Sequence, residues 1–184
     1  MKVIVGISGG SGALYALSLL RMLKEAGIEV HLVASRQGKQ VVEYECGVDL
    51  DGLKSMAAYY HDDQDLAAPI SSGSFRVDGM VVVPCSMNTL AGIASGLSGS
   101  LLTRAADVSI KEKRKLILVP REMPFSTTHL ENMLKVSRLG AVIMPPCPGF
   151  YNHPREIGDV VASVVGKILD QLNIEHHLFR RWGE

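Results

Sequence analysis

Cysteine is scarce in this chain: Cys46, Cys85 and Cys147 are odd in number, scattered and without Cys-x-x-Cys spacing. That excludes a disulfide framework and a thiolate zinc site. Charge of one sign is absent as well, because 19 Lys and Arg balance 19 Asp and Glu. The balance argues against a nucleic-acid or polyanion partner. No apolar run approaches the roughly 20 residues that span a bilayer, and no signal-peptide pattern precedes the first apolar segment. The expected location is the cytoplasm, with no membrane contact. His31, His61, His129, His153, His176 and His177 form no ligand pattern on one helix face, and the adjacent His176-His177 pair is expected on a solvated C-terminal segment. The first glycine turn lacks both Gly-x-Gly-x-x-Gly spacing and a P-loop lysine, so it favours neither a dinucleotide nor an NTP.

What is present is an alternation of strand and helix. With 184 residues, 47% of them hydrophobic, the chain fits one globular domain over 1–184 that can bury a proper core. Strand-like runs cover Lys2 to Ile7, Glu29 to Ala34, Gly79 to Val83, Lys115 to Val119 and Gly140 to Met144. Helical patterns cover Ala13 to Ala26, Gln37 to Cys46, Asn88 to Ala94, Leu101 to Glu112, Thr128 to Arg138 and Glu156 to Leu172. Unbroken apolar runs such as Met80-Val81-Val82-Val83 are expected of strands covered on both faces. The predicted fold is α/β: a Rossmann-like or flavodoxin-like doubly wound parallel sheet with helices on both faces. Ligands of such sheets bind beyond the carboxyl ends of the strands.

The loops at those ends carry the chemistry. Ser8-Gly9-Gly10-Ser11-Gly12 closes the first strand and opens a helix. Its glycines allow close approach of the backbone, and the helix N-terminus offers unpaired N–H groups and a positive dipole end, so the turn reads as an anion cradle. Ser35 ends the second strand, and Ser86, Asn88 and Thr89 stand at another helix start within Pro84 to Leu90. Taken singly, Ser86 reads as an N-cap, Arg121-Glu122 as a surface ion pair and Tyr151 as a loop aromatic. Their coincidence at successive strand ends points to a site.

The set Ser8 to Gly12, Pro84-Cys85-Ser86-Met87-Asn88-Thr89, Leu102-Thr103-Arg104-Ala105-Ala106-Asp107, Val119-Pro120-Arg121-Glu122, Pro148-Gly149-Phe150-Tyr151 and the closing Arg181-Trp182-Gly183-Glu184 resembles the flavin prenyltransferase family of the UbiX type, over essentially the whole chain. The resemblance implies an enzyme that joins the dimethylallyl group of dimethylallyl monophosphate to N5 and C6 of reduced FMN. The prenylated FMN would serve a UbiD-type decarboxylase, as in ubiquinone biosynthesis. It implies FMN contacts at Gly10, Ser11, Gly12, Ser35, Ser86, Met87, Asn88, Thr89 and Arg121. The prenyl phosphate would lie against Arg104, Lys111, Tyr151 and Lys167, with Glu122 and Ser11 assisting proton transfer. It also implies a homo-oligomer, a dodecamer in typical members, with sites at subunit boundaries.

That chemistry suits these residue types. Breaking an allylic carbon–oxygen bond leaves a phosphate whose developing charge fixed cations and a phenol can stabilise without a metal. No Asp-Asp-x-x-Asp cluster is present for Mg²⁺; Asp62-Asp63 with Asp65 is the nearest imitation and is expected to be a solvated turn away from the strand-end loops. Lys167 stands where relatives are expected to carry arginine and keeps the charge without the bidentate fork. Lys111 lies in a charge cluster, Lys111 to Lys115, that also reads as a solvated helix end, and Trp182 reads as a packing or subunit-contact residue. The alternative function is an FMN-dependent cysteine or phosphopantothenoylcysteine decarboxylase, whose Pro-x-Ser-x-Asn-Thr stretch Pro84 to Thr89 also fits. Ser71 to Phe75 without histidine, and Arg121-Glu122, favour the prenyltransferase.

Overall fold

A computed structural model describes residues 1–183; Glu184, the last residue of the closing motif, lies outside them. Six parallel strands form one sheet: β1 (Lys2–Ile7), β2 (Glu29–Ala34), β3 (Tyr59–Asp62), β4 (Gly79–Cys85), β5 (Lys115–Pro120) and β6 (Val142–Ile143). The helices are α1 (Ala13–Glu25), α2 (Arg36–Cys46), α3 (Leu50–Ser55), α4 (Met87–Ser95), α5 (Leu101–Lys111), α6 (Thr127–Arg138) and α7 (Ile157–Gln171). The strand order is β3-β2-β1-β4-β5-β6. The chain therefore winds outward from β1 in one direction, then returns to start again at β4. The switch point between β1 and β4 opens a crevice at the carboxyl edge.

Side-chain alternation along each strand splits the core in two. Val3, Val5 and Ile7 of β1, Val81 and Val83 of β4, and Ile117 and Val119 of β5 point to the layer of α1 and α7. Ile4, Met80, Val82, Leu116 and Leu118 point to the layer of α4, α5 and α6. Strands buried on both faces explain the unbroken apolar runs. Among the described residues no helix is long and apolar enough to cross a membrane.

Three sequence expectations change. The edge strand β3, Tyr-Tyr-His-Asp, has no continuous apolar run and so carries no core-strand signal; the short α3 is missed for lack of length. The Asp62 to Asp65 segment is a turn with Asp62, Gln64 and Asp65 exposed, as expected, but it follows β3 at the carboxyl edge and buries Asp63, which is only 6% exposed. His176 is buried rather than solvated: its Nε2 lies 3.1 Å from Asp170 Oδ1, and its ring packs on Phe179.

Histidine also joins β2 to β3. His31 Nδ1 and His61 Nε2 are 2.9 Å apart and their rings stack, with Glu29 on the far side of His31. Burial, and then the neighbouring His31, hold His61 below its ordinary pKa, with Asp65 opposing. The unfolded chain therefore takes up the proton first. This contribution is complete above the ordinary histidine pKa of about 6.5 and is lost as pH falls below it toward the folded value. Denaturant titrations at neutral and mildly acidic pH are expected to show acid-induced loss of stability that is smaller in His61→Gln; an equal loss in both chains would remove His61 from the account.

Candidate functional site

Ser8 sets the geometry of the crevice. Fully buried, its hydroxyl donates to the Pro84 carbonyl (3.0 Å) and accepts from the Ser86 amide (2.7 Å), pinning the end of β1 to the end of β4. In the sequence Ser8 reads as a hydroxyl donor of the anion cradle; the structure instead spends that hydroxyl on the neighbouring strand, and the apolar run before it gives no signal of this. Two close approaches need glycine. A Cβ on Gly38 would lie 2.4 Å from the Ile7 carbonyl oxygen, and one on Gly9 would lie 2.7 Å from Gln37 Cβ.

Those contacts bring the starts of α2 and α4 together. Ser35 caps α2 by accepting from Gly38 N (3.0 Å), and Ser86 caps α4 by accepting from Thr89 N (3.3 Å). Each serine satisfies the third helical amide only. Among the described residues no protein acceptor meets the Arg36, Gln37, Met87 and Asn88 amides. A cleft of about 710 Å³ opens there, lined by Gly9, Ser35, Gln37, Ser86, Asn88 and Thr89, and reaching Ser100 and Thr103 at the start of α5. Two positive helix ends with free N–H groups fit one phosphate monoester.

The glycine turn is arranged differently from expectation. The Glu45 carboxylate of α2 already accepts from Gly12 N (2.9 Å) and Ala13 N (2.8 Å), so the N-terminus of α1 holds an internal anion. Burial pushes this carboxyl up, but the Ser11 hydroxyl, the two amides and Arg121 outweigh it and hold it below the usual range. Gly10 thus packs beside Pro84 and Ser86, Gly12 beside Tyr15 and Pro84, and Ser11 turns to Glu45, so the start of α1 offers no empty phosphate cradle. Glu45 was missed because its partner is distant in sequence and it lies on an otherwise solvated helix.

Arg121 and Glu122 flank a second cavity of about 440 Å³ with Met123, Pro124, Phe125, Pro145, Pro146 and Cys147. The Arg121 amide donates to the Cys85 carbonyl (3.2 Å), tying this loop to β4. Tyr15 borders the same region: burial first, then the nearby Cys147, raise its phenol, while Arg121 lowers it. Glu122 is exposed and accepts from Met123 N at 3.1 Å. Cys85 is a packing residue, its thiol pushed up to about 12 by complete burial.

Arg104, Lys111, Tyr151 and Lys167 do not converge within one chain. Arg104 pairs with Asp107 (2.8 Å) and donates through Nε to the Ser71 carbonyl (3.1 Å). Lys111 ends α5 and pairs with Glu112, which lines a pocket with Lys2, Glu29 and Asp78 at the amino edge of the sheet, opposite the cleft. Lys167 is 60% exposed and pairs with Asp170, which also takes Arg181 (2.8 Å). Bonding by Arg181, opposed by burial and reinforced by Lys167, holds the Asp170 carboxyl at about 2. Tyr151 meets Trp182 edge-to-face at 5.3 Å, so Tyr151 and Lys167 do share the neighbourhood of the C-terminal tail. Trp182 is exposed. Among the described residues no group of three or more His, Cys, Asp or Glu is placed to hold a metal ion.

The Flavoprotein family profile matches residues 1–169. A flavin prenyltransferase UbiX from Methanocaldococcus jannaschii is 49% identical over 183 residues, covering 100% of this chain and 99% of its own. A dodecameric FMN-dependent UbiX-like decarboxylase from Escherichia coli O157:H7, so named, superposes with a TM-score of 0.97 at 51% identity, each chain fully covered. AnUbiX (PadA1), crystallised with FMN and dimethylallyl pyrophosphate, superposes with a TM-score of 0.98 at 44% identity, covering 100% of this chain and 97% of its own.

Proposed function

The chain belongs to the Flavoprotein family and, within it, to the UbiX-type flavin prenyltransferases, and from that membership we propose that it transfers the dimethylallyl group of dimethylallyl monophosphate to reduced FMN without a metal, as one cytoplasmic domain. The observation that carries this reading is the cleft at the switch point, where two serine-capped helix starts with free amides stand beside the Arg121–Glu122 loop. Bound reduced FMN supplies nucleophilic N5 and C6, which take the C5 unit. The product would then serve a UbiD-type decarboxylase.

This chain's own groups account for the remaining tasks. Ser35, Ser86, Asn88 and Thr89 hold the single phosphate at the free helix ends, and Met87 stands in the first turn of α4. Arg121, its amide anchored to β4, acts electrostatically on Glu45 and Tyr15 and so supplies a cation beside the glycine turn. Glu122, with Ser11 already bonded to Glu45 as a relay, would carry the protons: N5 loses one as the carbon–oxygen bond breaks and phosphate leaves, and ring closure adds one to the prenyl double bond while removing the one on C6. Arg104, Lys111, Lys167 and the Tyr151 hydroxyl stabilise the charge that grows on the departing phosphate.

Because Lys111 lies at the opposite sheet edge, the cations must gather from more than one subunit, in an assembly like the dodecamer of the Escherichia coli relative. Co-assembling Lys111→Gln chains with Glu122→Gln chains is then expected to restore up to about a quarter of wild-type activity, the share of sites that draw an intact residue from each parent. No recovery would assign both residues to the same chain's site.

The direct test is the mass of the flavin after incubation with reduced FMN, dimethylallyl monophosphate and EDTA. A product heavier by one C5 unit is expected. Turnover with the pyrophosphate alone would reverse the monophosphate assignment, and carbon dioxide release from phosphopantothenoylcysteine with no change in flavin mass would establish the decarboxylase instead.

A further inference from the structure

The cleft is longer than one phosphate needs. From Gly9 and Ser35 it runs past Ser86 to Leu97, Gly99 and Ser100 at the start of α5. A pyrophosphate-linked nucleotide has room to extend along it, so volume alone does not confine the cleft to FMN.

The start of α5 differs from the starts of α2 and α4. Its first three amides are all occupied: Leu101 N donates to the Asp63 carbonyl (2.8 Å), Leu102 N to Asp63 Oδ1 (2.9 Å), and Thr103 N to Ser100 Oγ (3.4 Å). Asp63 is 6% exposed, lines the cleft and makes no ion pair with Lys or Arg among the described residues. No protein donor among them meets its Oδ2. No lysine or arginine lines the cleft either. Its field is therefore set by three helix ends, about +0.5 charge each, against one buried carboxylate. The positive ends with free amides are those of α2 and α4; at the third the donors are used and the local charge is negative.

We infer that Asp63 restricts this cleft to the flavin mononucleotide and turns away the pyrophosphate-linked dinucleotide. The phosphate of FMN sits at the free amides of α2 and α4, away from Asp63. The second phosphate of FAD, continuing toward α5, meets a desolvated carboxylate and finds no free helix amide and no cationic side chain, in surroundings where charge repulsion is weakly screened. The inference rests on the FMN reading above and adds to it the residue that sets nucleotide choice.

The test is a fluorescence titration of the full chain with FMN, FAD and riboflavin, in wild type, Asp63→Asn and Asp63→Ser. Asparagine keeps an oxygen for Leu102 N and removes only the charge; serine keeps a short acceptor, and is read if the asparagine chain proves unfolded by circular dichroism. Wild type is expected to prefer FMN to FAD by at least ~100-fold. Asp63→Asn is expected to reduce that ratio by at least ~10-fold through tighter FAD, with FMN within about threefold of wild type and riboflavin unchanged. An unchanged ratio in a folded variant, or a wild type that binds both equally, overturns the role of Asp63 while leaving the FMN site standing. A wild type that binds no FMN overturns the functional reading itself and this inference with it.

Discussion

Glu122→Gln is expected to bind FMN within about threefold of wild type while forming the C5-bearing flavin at least ~100-fold more slowly, the usual scale for loss of a general acid–base group. The side chain is exposed on the loop after β5, at the rim of the 440 Å³ cavity, and its one hydrogen bond within the chain is to Met123 N. Glutamine can accept from that amide equally well, so the loop conformation should persist and the lost proton acceptor is isolated as the cause. The amides of α2 and α4 proposed to hold the phosphate lie in the other cleft, which is why binding should survive. Single-turnover mass spectrometry of the flavin, alongside an FMN titration, separates the two effects. Product formation at the wild-type rate would remove Glu122 from proton transfer, and loss of FMN would make it a binding residue.

Gly38→Ala is expected to destabilise the protein by at least ~2 kcal/mol, lowering Tm by roughly 4–8 °C, and to weaken FMN binding at least ~10-fold. The added Cβ would stand 2.4 Å from the Ile7 carbonyl oxygen and 2.9 Å from its carbon. Both are main-chain atoms of a central strand held on each side by parallel pairing, so relief must come from α2 moving outward. That movement carries away the Ser35 cap and the free amides of Arg36 and Gln37. Gly99→Ala is the control for stability, because its Cβ would meet nothing within 4 Å; since Gly99 lines the cleft, FMN binding of Gly38→Ala is compared with wild type. Calorimetry on both variants and flavin titration against wild type check the expectation; a Gly38→Ala protein as stable as the control would show that the approach of α2 to β1 is not tight.

The doubly wound architecture was legible because its cause is local. Strands buried on both faces demand the continuous apolar runs of β1, β4 and β5, while helices covering them demand a 3.6-residue period; both patterns survive in the bare order of residues. β3 was not legible, since an edge strand half open to solvent can be built from Tyr59, Tyr60, His61 and Asp62. The strand-end loops were legible as a candidate site because the winding rule places every one of them at the same edge. Ser35 and Ser86 were placed at that edge in this way, and so were Arg121 and Glu122.

What the residues alone determined, then, is the α/β alternation, the edge of the sheet where chemistry belongs and the family resemblance carried by motifs spread along the chain. Which groups meet was decided only in three dimensions. Glu45 reaches the α1 amides across 33 residues, and Asp63 reaches α5 across 39. Neither distance leaves a periodic trace, because a carboxylate that satisfies a helix end is spelled in sequence like one that is solvated. The separation of Lys111 from Arg121 has the same origin: a helix antiparallel to its strands carries its last residue to the sheet edge opposite the cleft, and nothing in the order of residues marks that reversal.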